Sequence, residues 1–278
     1  MKKKFADGIH DISNQQYHDA EGYSRSSLMM IGTSPYHFWY HHLSGLAEKE
    51  DETDAMILGS LFHTLLLEPH LFNDEYAVLP PINKKTNKGK QEYAEFIASA
   101  GMKTVITEEQ YQTAFAMCEA LKTHNIVLDL VLDAEYEKSI FWTDRETGLQ
   151  FKARPDIWHA HMVVDLKSTQ SAEYKYFQNS AVRGGYFLQA GMMHEACNAV
   201  NRPFEKFVFL AAEKKPPYAP AIYTLDDWSI EFGIEQFNNL KRKLVMCIEK
   251  NEWPSYPIQE LRIPVWARDT LDYIPDFD

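Results

Sequence analysis

The sequence predicts an α/β domain whose central mixed β-sheet is flanked by helices, and three observations predict it. Its 278 residues are 45% hydrophobic and 24% charged, the balance of a folded chain long enough to bury a large core. The hydrophobic period is helical before about residue 130, then gives way to short runs rich in β-branched and aromatic residues between turn signals. Helical spacing then returns, and the order α-rich, β-meander, α, β, β, α is that of a sheet with helices packed on it. No internal repeat or low-complexity stretch divides the chain. A single domain over 1–278 is therefore expected, with a helical part to about 130 and a sheet core from about 131.

The elements follow in order. Ser24-Arg25-Ser26-Ser27 before Leu28-Met29-Met30-Ile31 reads as a capped helix start, because serine hydroxyls accept bonds from the first free backbone N–H groups. Asp54 to Leu67 reads as a second helix, with His63 in an otherwise apolar face. The run Pro80 to Lys90 carries four lysines and reads as a surface loop, either solvated or, through Lys84 and Lys85, a DNA-contacting arm. Tyr93 to Ala100 and Thr107 to His124 read as further helices. Glu137–Thr143, Leu149–Trp158 and His161–Lys167 are expected to form a three-stranded antiparallel meander, with Glu137 an exposed strand residue or, less well supported, an extra carboxylate. Tyr186 to Ala199 reads as a helix, Phe204–Ala212 and Ala219–Leu225 as strands, and Asp227–Lys250 as a long amphipathic helix.

Composition excludes several classes. Met1-Lys2-Lys3-Lys4 opens like an export signal, but Asp7, Gly8, His10 and Asp11 stand where its apolar segment would begin. The longest apolar stretch, Met56 to Leu67, falls short of the roughly 20 residues that span a bilayer. A cytoplasmic protein with no membrane partner is expected. Cys118, Cys197 and Cys247 lie far apart without metal-ligand spacing, so neither a disulfide framework nor an iron–sulfur or zinc site is suggested. The net charge of −12 argues against a broadly basic nucleic-acid surface. It leaves room for a local positive groove beside clustered carboxylates that hold cations.

The informative stretch is Arg154-Pro155-Asp156, eight residues, then Asp165-Leu166-Lys167. Two carboxylates and a lysine suit magnesium-assisted phosphodiester hydrolysis: carboxylate oxygens hold a hard cation, which polarises phosphate and acidifies a bound water. The lysine orients that water and offsets developing negative charge. If His159-Ala160 is a two-residue hairpin turn, Trp158 opposes His161 and Asp156 opposes Val163. Asp156 and Asp165 then form a diagonal pair on one face, roughly 7–8 Å apart at the backbone. Lys167 points to the same face, because side chains alternate. Asp-x-Lys by itself carries little information and is common on solvated strands.

With its surroundings the pattern resembles the PD-(D/E)XK nucleases. Ser24–Tyr40, Gly59–Pro69, Thr147–Asp156, Val164–Thr169, Gly185–Ala190, Pro216-Pro217-Tyr218 and the end around Pro264-Val265-Trp266 are similar to RecE-type phage and prophage exodeoxyribonucleases of the RecB-like branch. The resemblance covers nearly the whole chain and implies a restriction-endonuclease-like core. It implies that His63, Asp156 and Asp165 hold the metal with the Leu166 carbonyl, and that Lys167 is the catalytic lysine. Taken alone, His63 would read as a hydrogen-bonded core histidine. Gln189 and Tyr186 match a helix beside the family's active site, where an amide and a phenol contact DNA or a metal-bound water. Met193 departs from the pattern, standing where the family often has a second tyrosine.

The activity implied is 5′ to 3′ hydrolysis of linear double-stranded DNA, using Mg2+ with Mn2+ as a substitute, in a bacterial or phage-infected cell. The partners implied are double-stranded DNA ends, a single-strand annealing recombination protein and further copies in a homo-oligomeric ring. Arg25 and Ser27, with their neighbouring serines, offer either plain helix capping or an anion site for a terminal 5′ phosphate. The alternatives are a site-specific endonuclease on the same core and an inactive DNA-binding protein. The second is disfavoured by the complete set of His63, Asp156, Asp165 and Lys167.

Overall fold

The computed structural model describes residues 3–48 and 51–264; Val265-Trp266, part of the terminal match, lie outside the described residues. In chain order the elements are β1 (Gly8–His10), α1 (Asn14–Asp19), α2 (Arg25–Thr33), α3 (Pro35–His42) and α4 (Asp54–Leu67). After a 3-10 turn at Pro69–Leu71 come α5 (Phe72–Glu75), β2 (Tyr76–Leu79), α6 (Asn87–Ala100), β3 (Thr104–Thr107), α7 (Glu108–Lys122) and α8 (Asn125–Val131). Next are β4 (Glu135–Tyr136), β5 (Ser139–Thr143), β6 (Gln150–Ala153), β7 (Ile157–Trp158) and β8 (Met162–Thr169). The chain continues through α9 (Tyr174–Arg183), α10 (Tyr186–Ala199), β9 (Lys206–Glu213), β10 (Pro220–Thr224) and α11 (Asp227–Lys250).

Five strands make a mixed sheet in the order β10-β9-β8-β7-β4, with β8 and β9 parallel and the other pairs antiparallel. A three-stranded sheet β1-β5-β6 stands beside it, and β2 and β3 form a short parallel pair. The alternation of β8 and β9 serves two apolar layers. Val164, Leu166, Val208 and Leu210 face α4 and α7, whereas Val163, Phe207 and Phe209 face α10, α11 and the smaller sheet. Helix α10 is buried on most sides, and it crosses α11 at Gly191 and Gly233. A Cβ at Gly191 would lie 2.2 Å from the Gly233 carbonyl carbon, so only hydrogen on both residues permits this approach.

The three-stranded meander is corrected. Its middle strand breaks at Arg154-Pro155-Asp156, so β5 and β6 pair in the small sheet while β7 and β8 pair in the large one. Pro155 lacks an N–H, and the ladder changes sheets there. The strand expected from Glu137 is also interrupted, because Glu137 takes φ +50° between β4 and β5. The lysine-rich loop is shorter than expected. Thr86 caps α6 by accepting the Gly89 N–H at 3.0 Å, which places Lys88 and Lys90 inside the helix. Among the described residues, no single helix is long and apolar enough to cross a membrane.

Candidate active site

The site forms where β7 abandons β8. Observed pairs are Ile157 with Val164 and Trp158 with Val163, so the chain turns at Ala160-His161 and not at His159-Ala160. Continuing that register sets Asp156 directly opposite Asp165, which corrects the expected diagonal. Beyond this point the edge of β8 has no strand partner among the described residues, and side chains take over. The Leu166 N–H donates to Asp156 Oδ2 at 2.6 Å, and the Leu166 carbonyl lies 3.1 Å from His63 Nε2. His63 comes from α4 in the opposite layer, while Asp156 and Asp165 belong to the same side of the hairpin.

His63, Glu137 and Asp156 converge. His63 Nδ1 lies 3.5 Å from Glu137 Oε1 and 3.7 Å from Asp156 Oδ2. One donor atom from each residue lies within 4.8 Å of the others, a set of nitrogen and oxygen donors able to hold a divalent cation. The charges confirm the crowding. Burial, then the neighbouring Asp165 charge, pushes Asp156 up to about 7. Burial pulls His63 down, but Asp156, then Glu137 and Asp165, outweigh it and raise the imidazole to about 9. Burial likewise works against ionised Glu137, yet His63 and Arg154 hold its carboxyl below the usual range. Three carboxylates this close call for positive charge, and a metal ion fits the donors present.

The second half of the site lies toward α10. Asp165 is 2% exposed and touches both Lys167 Nζ and Gln189 Nε2. Gln189 Oε1 accepts from Lys167 at 3.3 Å and from Arg25 Nη1 at 2.9 Å, tying the start of α2 to the central strand. Tyr186 does not reach the carboxylates; its ring lies 4.8 Å from Lys167 Nζ and packs on Phe209. Ser27 is buried and accepts the Ser24 N–H at 3.3 Å, while Ser24 Oγ sits 2.8 Å from Ser26 Oγ. A cavity of about 920 Å3 is lined by Arg25, Ser27, His63, Glu137, Asp156 and Gln189 among others, whereas Asp165, Lys167 and Tyr186 stand behind Gln189 and do not line it.

Lys84 and Lys85 do not line this cavity. Lys84 Nζ lies 3.6 Å above the Tyr93 ring, and the Lys85 N–H donates to Asn83. Sequence reasoning undervalued Glu137 and did not single out Arg154 as a partner for it. The sequence signal for it is slight: Glu137-Lys138-Ser139 precedes the apolar run Ile140-Phe141-Trp142 without the alternation of a plain strand. The three cysteines are free and buried, and burial pushes the Cys118 and Cys197 thiols up to about 12.

The fold and the site define a PD-(D/E)XK-type α/β domain. A family described as a PDDEXK-like domain of unknown function (DUF3799) matches residues 24–260, and the chain belongs to that family. Among solved structures it is similar to a "putative exonuclease" from Eubacterium rectale, with TM-score 0.61 and 15% identity over 95% of this chain and 100% of that one. That likeness shows the fold. A phage related exonuclease from Haemophilus somnus (TM-score 0.33, 12% identity, 60% and 85% covered) and an alkaline exonuclease from Laribacter hongkongensis (0.32, 12%, 60% and 86%) are too distant to carry an inference. A search of curated proteins found no match.

Proposed function

We propose that the chain is a divalent-metal-dependent exodeoxyribonuclease that digests linear duplex DNA from its ends, 5′ to 3′, and leaves 3′ single strands for recombination. The observation that carries this reading is the convergence of His63, Glu137 and Asp156 beside Asp165, Lys167 and Gln189, in a chain of the PDDEXK-like family. Magnesium, with manganese as a substitute, would be held by His63, Asp156 and Glu137 with Asp165 and the Leu166 carbonyl adjacent, and supplies Lewis acidity and a water of lowered pKa.

The chain's own groups do the rest. In this reading Lys167, paired with Asp165 and Gln189, supplies the ammonium that orients the attacking water and offsets charge on the phosphate. Gln189 holds Asp165 and Lys167 in register and reaches the cavity, so it can report DNA binding to both. Arg25 and the serines of α2 offer an anion site for the terminal 5′ phosphate, and Tyr186, Lys84 and Lys85 are further DNA contacts in this reading. The polarity, an annealing-protein partner, a ring of copies and a cytoplasmic location rest on the resemblance to RecE-type enzymes.

The test is digestion of linear and closed circular duplexes, labelled at either end, with magnesium or EDTA. Linear DNA alone should be degraded, the 5′ label should be released first, and EDTA should stop the reaction. Cutting of the closed circle would establish an endonuclease instead. DNA binding without hydrolysis in magnesium or manganese would establish an inactive binding protein.

A further inference from the structure

We propose that Arg154 is a positioning residue, whose guanidinium sets Glu137 in the orientation that completes the metal site. The inference rests on the reading of His63, Glu137 and Asp156 as metal ligands. Glu137 follows the short strand β4 with φ +50°, a left-handed conformation that a side-chain-bearing residue adopts only when its surroundings over-determine it. Two contacts do so. Its N–H donates to the Asp156 carbonyl at 3.1 Å, and its Oε2 accepts from Arg154 Nε at 2.6 Å. The other carboxylate oxygen is thereby aimed at His63, 3.5 Å away.

Arg154 is itself fixed from two further directions. Its Nη1 donates to Ser139 Oγ at 2.7 Å and to the Ile12 carbonyl at 2.9 Å, and its side chain is only 10% exposed. These acceptors lie on β5 and on the N-terminal segment before α1, so one planar fork joins three parts of the chain around Glu137. A lysine keeps the charge but places one ammonium where three acceptors wait in separate directions. Charge and geometry therefore make opposite predictions. A positive group beside a cation site repels the cation, so Coulomb's law alone predicts tighter metal binding when Arg154 is neutralised. Positioning predicts weaker binding.

Calorimetric titration of the metal-free full chain with MnCl2 decides between them. Arg154→Lys and Arg154→Gln should each weaken Mn2+ binding by about 10–100-fold, the effect of disturbing a group that orients a ligand. In a Glu137→Gln background, adding Arg154→Lys should change the affinity by less than about twofold, because the arginine acts through that carboxylate. Wild-type affinity in Arg154→Lys, tighter binding in Arg154→Gln, or losses that simply add in the double variant would each overturn the proposal. Thermal unfolding of the metal-free variants checks their folding, and if Arg154→Gln does not fold, the lysine variant and the double variant still decide. Failure of the unaltered protein to bind Mn2+ would instead remove the metal reading beneath the proposal.

Discussion

At Lys167 the proposed function assigns activation of a water and leaves the cation to other residues. Its Nζ contacts Asp165 and lies 3.3 Å from Gln189, whereas the donors nearest one another are His63, Glu137 and Asp156. Lys167→Ala should lower single-turnover hydrolysis by about 100-fold or more while calorimetry still detects Mn2+ binding. Asp165→Ala should lose both hydrolysis and much of the metal affinity. Near-normal cleavage by Lys167→Ala would remove the lysine from the mechanism. The titrating pair makes a second prediction. His63 is raised to about 9, so without metal its contribution to stability is complete below about 6.5 and fades as pH rises through 9. Asp156 is raised to about 7, so its contribution also falls as pH rises through that value. A bound cation instead needs neutral His63 and ionised Asp156. The gap in melting temperature between metal-loaded and metal-free protein should therefore widen from pH 6 to 9, and a constant gap would contradict the ligand assignment.

Among the elements, the hairpin shows how far pattern reasoning reaches. Moving its turn by one position, from His159-Ala160 to Ala160-His161, shifts the pairing by two residues, so the position opposite Asp156 changes from Val163 to Asp165, and an even shift keeps the two on one face because side chains alternate with period 2. The direct pairing does not follow from the pattern, since turn placement depends on the Leu130 carbonyl beside His159, 2.8 Å from its ring, and on packing around Trp158. Helices α4, α10 and α11 match their sequence-read spans: α11 has an amphipathic period, and α4 and α10 are long apolar runs free of internal proline. The close crossing of α10 and α11 gives a test at this scale. Gly233→Ala would bring a Cβ within 2.0 Å of the Phe187 carbonyl oxygen, so the helices must separate. We expect a loss of about 1–3 kcal/mol in urea unfolding, the usual cost of overpacking, and weaker hydrolysis because Gln189 is carried on the displaced helix. Unchanged stability would show that the helix pair yields without resistance.

Over the whole molecule, a net charge of −12 means that the proposed DNA substrate must be engaged through a local site. Arg25 lines the cavity and bonds Gln189 at 2.9 Å, so an end-recognition role predicts a selective defect. Arg25→Ala should slow digestion of 5′-phosphorylated ends far more than 5′-hydroxyl ends, and added salt should narrow the gap only partly because partly buried charges are weakly screened. Equal slowing on both ends would make Arg25 a general backbone contact, and no slowing would leave helix capping as the role of this segment. The sequence by itself determined the α/β class, the spans of α4, α10 and α11, and the placing of Asp165 and Lys167 on one face of β8, because periodicity and alternation are local properties of the chain. Only the tertiary structure decided that β7 and β6 part at Pro155, that His63 reaches the open edge of β8 from the opposite layer, and that Arg154 turns Glu137 toward it. Those contacts join residues as far apart as 103 positions, as between His63 and Leu166, and their geometry depends on how separate layers meet.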